Sequence, residues 1–84
     1  MTKYKLEHPV EYGSEEITEL SVKRPTAKVF KKYQISKLGE LTTGEWIDIL
    51  SQLTGEESTK LDRLDFKDLT KLIEIVGEML GGGQ

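Results

Sequence analysis

The sequence of 84 residues combines 36% hydrophobic with 32% charged residues, carries a net charge of −3 and contains no cysteine. This composition predicts one soluble folded domain over residues 1–84, and the absence of cysteine excludes disulfides and thiolate zinc sites. No apolar run approaches the ~18 residues of a membrane span, and the N-terminus lacks the apolar core of a signal peptide. We therefore expect a cytoplasmic protein without membrane contact.

The charges are distributed unevenly along the chain. Residues 1–39 carry a net charge of +3, and residues 40–84 carry −6. This polarity suits head-to-tail contact between copies, or an interface with a polarised partner. The alternative interpretation is that both halves present solvated faces that serve solubility.

A β-hairpin is predicted over residues 3–24. Residues 4–12 alternate between two faces, one of which carries Tyr4, Leu6, His8, Val10 and Tyr12. A three-residue loop at 13–15 would bring the second strand onto the same face. The resulting pairs are Leu6 with Val22, His8 with Leu20 and Val10 with Thr18. Ile17 has the wrong parity for this register, so we expect a bulge or an outward apolar side chain there.

A helical part is predicted over residues 25–80. Pro25 ends the hairpin and starts a first helix, in which Val29, Phe30 and Tyr33 form an apolar stripe. Two better-marked helices follow.

The second helix starts at a capping box of Thr42 and Glu45 and stops at Gly55. Residues 58–64 are expected to form one short turn. Asp65 begins the last helix, whose polar stripe is Lys67, Lys71, Glu74 and Glu78. A flexible glycine-rich tail is expected at 81–84. The fold class is therefore α+β, an N-terminal β-hairpin followed by about three helices.

No arrangement of residues indicates catalysis, a cofactor or a metal site. His8 is the one histidine, and its parity in the first strand predicts a half-buried structural residue. The glycines match neither a P-loop nor a dinucleotide fingerprint. Asp62, Asp65 and Asp68 lack the spacing of a calcium loop, and caps and solvated charges explain them better.

Nucleic acid is an unfavoured partner. A basic cluster is present at Lys23, Arg24, Lys28, Lys31 and Lys32. The chain is nevertheless acidic overall, whereas non-specific binding rests on neutralising phosphates with a basic face. Phe30 and Tyr33 are in register for the core rather than for stacking on bases.

The wide apolar arc of the last helix leaves a surplus of two apolar residues at its edge. Ile75 and Met79 lie one turn apart on the flank of the last helix nearest its polar stripe. Together with Ile17 they are candidates for an exposed partner-binding patch. Core packing explains the same residues equally well.

The stretch YKLEHPVEYGSEEITELSVKRPTAKVFKKY resembles the opening of the E-type tail assembly chaperones of contractile-tailed bacteriophages. That family has a strand of the form I-x-x-L-x-V/L-R/K-x-P, matched here by Ile17, Leu20, Val22, Arg24 and Pro25 with a one-residue shift of the basic residues. The second half, ILSQLTGEESTKLDRLDFKDLTKLIEIVGEML, contains the family's L-x-G segment, Leu-Asp pair and Asp-led last helix. Met79 and Leu80 stand where the family often has an aromatic residue.

This resemblance implies a non-enzymatic role in the host cytoplasm. Proteins of this family are thought to bind the tape measure protein and to keep its apolar helices soluble before the tail tube polymerises. The implied partners are the tape measure protein, the tail tube protein as a second candidate, and further copies of the chain.

Alternatives remain open at this point. The family commonly makes a longer product by ribosomal frameshifting, and the run of residues 81–83 fits either a slip site or a helix-ending tail. Two other functions are a protein-binding adaptor unrelated to tails and a nucleic-acid-binding regulator. Affinity that falls steeply with salt would favour the regulator.

Overall fold

A computed structural model describes residues 1–81, the side chain of Ile35 excepted. It contains a two-stranded antiparallel hairpin followed by three α-helices, which confirms the predicted α+β class. The elements are β1 (Thr2–Tyr12), β2 (Glu15–Val22), two 3-10 helices (Ala27–Phe30 and Ile35–Glu40), α1 (Thr43–Thr54), α2 (Ser58–Leu61) and α3 (Phe66–Met79). Of the predicted glycine-rich tail, residues 82–84 lie outside the described residues.

The hairpin turn contains two residues rather than the predicted three. Tyr12 lies opposite Glu15, so the turn consists of Gly13 and Ser14. Gly13 has a φ of 64°, which is the left-handed conformation that two-residue hairpin turns require and that glycine adopts without strain.

A large bulge interrupts the pairing of the two strands. Val10 lies opposite Ile17, whereas Lys5 lies opposite Glu19. Residues 6–9 of β1 therefore face the single residue Thr18 of β2. The predicted register is therefore wrong. Val22 lies opposite Thr2 rather than Leu6, and Leu20 lies opposite Tyr4 rather than His8.

The bulge explains the parity of the apolar residues. In β2 both Ile17 and Leu20 pack into the core, although they lie three residues apart and Thr18 and Glu19 between them are exposed. In β1 the bulge turns His8 outward, so the prediction of a half-buried histidine is wrong. The His8 side chain is 59% exposed, and its Nε2 lies 3.9 Å from Asp65 Oδ2.

The segment after Pro25 forms two 3-10 helices instead of the predicted α-helix. Gln34 between them is extended, with φ −90° and ψ 119°. Lys28, Lys31 and Lys32 would lie three and four residues apart on an α-helix, where like charges are destabilising. Phe30 is nevertheless buried, as its place in the apolar stripe predicts.

The helices cover one face of the hairpin. Helix α1 packs on β2 and α3 packs on β1. The Lys23 N–H donates to the Leu53 carbonyl at 2.9 Å, which ties the end of β2 to the end of α1. The buried apolar residues form one core cluster of Leu6, Val10, Leu20, Val22, Phe30, Trp46, Ile47, Ile49, Leu50, Leu53, Leu61, Leu69, Leu72 and Val76.

The predicted capping residues lie at both ends of α1 and at the start of α3. Thr42 and Glu45 exchange both hydrogen bonds of the predicted capping box, at 3.1 and 2.8 Å. Gly55 ends α1 with a φ of 78°, and the Asp65 side chain accepts the Lys67 N–H at the start of α3.

Candidate functional site

Asp68 is the one buried charged side chain within residues 1–81, and it joins α3 to the bulge of β1. Its Oδ1 accepts the Tyr4 hydroxyl at 2.8 Å and the Glu7 N–H at 3.0 Å. Its Oδ2 accepts the His8 N–H at 3.0 Å. The carboxylate thus supplies the acceptors that the bulged backbone cannot find in β2, so the prediction of a cap or solvated charge is wrong for Asp68.

The pKa shifts of Asp68 and Tyr4 indicate a structural role for this carboxylate. Burial by itself raises the pKa of Asp68, but the hydrogen bonds from the Glu7 N–H, the Tyr4 hydroxyl and the His8 N–H outweigh it and hold the pKa below its usual value. Burial and the hydrogen bond to Asp68 raise the pKa of Tyr4 to about 12. A general acid or base works best with a pKa near the operating pH. The pKa of Asp68 is lowered and the pKa of Tyr4 is raised, so both are shifted away from neutral pH.

The stability of the protein should therefore fall in acid. The depressed pKa of Asp68 means that its contribution is fully present above the unfolded-state pKa of about 3.9 and is lost as the pH falls through the folded-state pKa. We expect urea unfolding at a series of pH values to show this loss in the wild type and to show a smaller one in Asp68→Asn. Equal slopes in both proteins would contradict this assignment.

The three predicted partner-binding residues lie on two elements. Ile75 and Met79 lie one turn apart on α3, and Ile17 lies on β2 opposite Val10. All three are partly buried and pack against the core cluster. Helix α3 packs on β1, whereas Ile17 lies on β2. Partner binding by these residues stays a prediction.

An apolar groove beside the end of α3 was missed by sequence reasoning. Leu80, the residue that caps α3, is 42% exposed. It lines a groove of about 340 Å³ together with Pro25, Thr26, Ala27, Phe30 and Tyr33. The helical period assigned Leu80 to the apolar arc of α3, but the contact with residues 25–33 depends on tertiary structure.

Phe66 is the second exposed apolar residue that the sequence did not reveal. It is 71% exposed at the first position of α3.

Asp68 could have been recognised from the sequence, because it lies four and eight residues before Leu72 and Val76, both of which are fully buried. A carboxylate on the buried face of a helix signals a polar partner within the fold.

Two charged grooves flank the exposed side of α1. One, of about 440 Å³, is lined by Lys28, Val29, Lys31, Lys32, Asp48 and Gln52. The other, of about 470 Å³, is lined by Tyr33, Thr42, Gly44, Glu45, Ile47, Asp48, Ser58 and Asp62. We call them the lysine groove and the acidic groove. Because both include Asp48, they are neighbours on one face.

The described residues contain no group of three His, Cys, Asp or Glu side chains that could hold a metal ion. Within residues 1–81 no helix has both the length and the apolar character needed to cross a membrane. The candidate surfaces described above are the apolar groove, the flank of α3 and the two charged grooves.

Comparison with known proteins agrees with the resemblance drawn from the sequence. A search of curated proteins found no match, and neither did a search of solved structures. A family model described as "Phage tail assembly chaperone proteins, E, or 41 or 14" matches residues 3–81. This match covers β1 from its second residue, all of β2 and all three α-helices. The chain therefore belongs to the phage tail assembly chaperone family.

Proposed function

We propose that this chain binds the tape measure protein in the host cytoplasm and keeps its apolar helices in solution while the tail tube assembles. The role is one of assembly, without catalysis. The observation that carries the proposal is the apolar groove, which adjoins the end of α3 and has Leu80 in its wall. An amphipathic helix binds a surface of this kind by placing its apolar face in the groove.

The flank of α3 is the second part of the proposed binding surface, and its residues Ile75 and Met79 lie outside the lining of the groove. Ile75 and Met79 lie within the last two turns of α3, directly before Leu80, and each keeps part of its side chain exposed. Apolar side chains at the centre of an interface typically dominate its affinity. We therefore expect Ile75 and Met79 to add apolar contacts to those that the groove makes with a bound helix.

The test is co-expression of the chain with the tape measure protein of the same phage, followed by size-exclusion chromatography with light scattering. We expect a soluble complex, and a loss of affinity of at least about tenfold for Ile75→Asp, Met79→Asp and Leu80→Asp. Lys71→Asp is the matched control, because Lys71 lies on the exposed polar stripe of the same helix.

Circular dichroism separates binding from folding in this series. Leu80→Asp is the most informative variant, because Leu80 is the most exposed of the three residues and its replacement should leave the fold intact. An insoluble tape measure protein beside a chain that elutes alone would overturn the proposed function. A complex that survives all three aspartate variants would place the binding surface elsewhere.

A further inference from the structure

Cations adjoin the wall of the apolar groove. Five of its six lining residues lie between positions 25 and 33, and the sixth is Leu80. Four exposed cations are each bonded in the chain to one of these lining residues: Arg24, Lys28, Lys31 and Lys32. Neighbouring Cα atoms are about 3.8 Å apart, whereas physiological salt screens charges over about 8 Å. A helix in the groove would therefore lie within the electrostatic reach of these cations.

The nearby carboxylates do not cancel this charge. Residues 20–39, which we call the basic segment, contain six cations and no carboxylate. Three carboxylates line the charged grooves around the segment, at Glu40, Glu45 and Asp48. Asp48 lies in the lysine groove itself, yet within residues 1–81 none of the six cations forms an ion pair within 4.0 Å. Positive charge therefore stays in excess.

The two carboxylates near the end of α3 lie away from the groove. The Leu80 N–H donates to the Val76 carbonyl, so the helical period holds as far as Leu80. At about 100° per residue, Glu78 and Glu74 lie roughly 200° and 240° around the helix from Leu80. The C-terminus of α3 itself adds a partial charge of only about −0.5. The basic segment therefore determines the sign of the charge that a bound helix meets.

We propose that the apolar groove binds an amphipathic helix whose apolar face is flanked by Asp and Glu side chains. Apolar side chains of that helix fill the groove, and the carboxylates beside them contact the cations of the basic segment. The Tyr33 hydroxyl already donates to Asp48 at 3.4 Å, so an apolar face leaves it paired. This inference rests on the proposed function, because it specifies which helices of the tape measure protein the groove selects.

The first test compares the affinities of two synthetic peptides by fluorescence anisotropy. Both are helices of about 18 residues with the same leucine stripe, flanked by glutamate in one peptide and by lysine in the other. We expect the glutamate peptide to bind at least about tenfold more tightly at about 50 mM NaCl, and this preference to fall below about threefold at about 500 mM. The net charge of −3 means that non-specific attraction alone would favour the lysine peptide.

Stronger or equal binding of the lysine peptide overturns the inference, and so does a failure of both peptides to bind. Neither result affects the co-expression experiment, which tests tape measure binding by itself. Conversely, a chain that prefers the glutamate peptide but leaves the tape measure protein insoluble would retain this groove and overturn the proposed function. A chain that binds neither peptide but retards RNA in a gel shift has a nucleic-acid surface instead.

The second test reverses the charge at the wall of the groove. Arg24→Glu combined with Lys28→Glu should make the lysine peptide bind more tightly than the glutamate peptide. The matched control is Lys67→Glu combined with Lys71→Glu, which changes the net charge equally but lies roughly 220° and 180° around α3 from Leu80. It should keep the preference for the glutamate peptide. A control that also reverses the preference overturns the inference, because overall charge would then explain it.

The third test places the peptide in the groove. Leu80→Asn removes an apolar lining residue without adding a charge, and Leu80 is exposed enough for the fold to tolerate the change. We expect the glutamate peptide to bind at least about fivefold more weakly to this variant. Circular dichroism checks that the variant is folded. An unchanged affinity would mean that the peptide binds outside the groove, which overturns the inference.

Discussion

Replacing Asp68 with alanine is expected to lower the free energy of unfolding by about 3 kcal/mol, because two bulge N–H groups lose a charged acceptor inside the fold. A chain of this size has a total stability on the order of 4 to 12 kcal/mol, so the variant should lose between about a quarter and about three quarters of it. Urea denaturation followed by far-UV circular dichroism measures the change.

Two further variants grade this effect. Tyr4→Phe removes a single hydrogen bond to Asp68 and should cost about 1 kcal/mol. Asp68→Asn keeps the size of the side chain but turns one acceptor into an NH₂ group that faces a donor, so it should cost nearly as much as alanine. If Asp68→Asn were as stable as the wild type, the carboxylate would not be what holds the bulge.

Leu72→Ala is expected to destabilise the chain by about 3 kcal/mol, through lost burial and the cavity left behind. Leu72 lies at the middle of α3 and is fully buried. Thermal unfolding by circular dichroism should show a midpoint lowered by more than ten degrees, on the order expected for a domain of under 100 residues.

Leu80→Ala is the control for this prediction. Leu80 follows the same helix but is 42% exposed, so its truncation should change the midpoint little. Comparing Leu72→Ala with Leu80→Ala distinguishes a residue that stabilises the fold from a residue that is available to a partner. Equal midpoints for Leu72→Ala and Leu80→Ala would mean that α3 does not pack on the hairpin as described.

Short sequence motifs correctly predicted those helix ends that are determined by residues close in sequence. The capping box at Thr42 needs only Glu45 three residues later, and Gly55 ends α1 through its own backbone conformation. The polar stripe of α3 followed from the helical period. These features could be predicted because each is decided within about one helical turn.

The hairpin register could not be predicted in this way. Strand parity assumes regular pairing, whereas residues 6–9 bulge away from β2. The acceptor that stabilises this bulge is Asp68, sixty or more residues away in the sequence. No local pattern in β1 reports that contact, so His8 and the loop length were both assigned incorrectly. The apolar and charged grooves were missed for the same reason, since each combines distant segments.

The Asp68 contact also determines the order in which the chain can complete its fold. During synthesis the hairpin emerges from the ribosome well before residue 68, and an isolated two-stranded hairpin is marginally stable at best. Its bulge has no carboxylate to accept its N–H groups until α3 has been made and docked. Contacts between residues so far apart in sequence raise the contact order and slow folding. We therefore expect the N-terminal strands to reach their native register only after α3 has docked, although they are translated first.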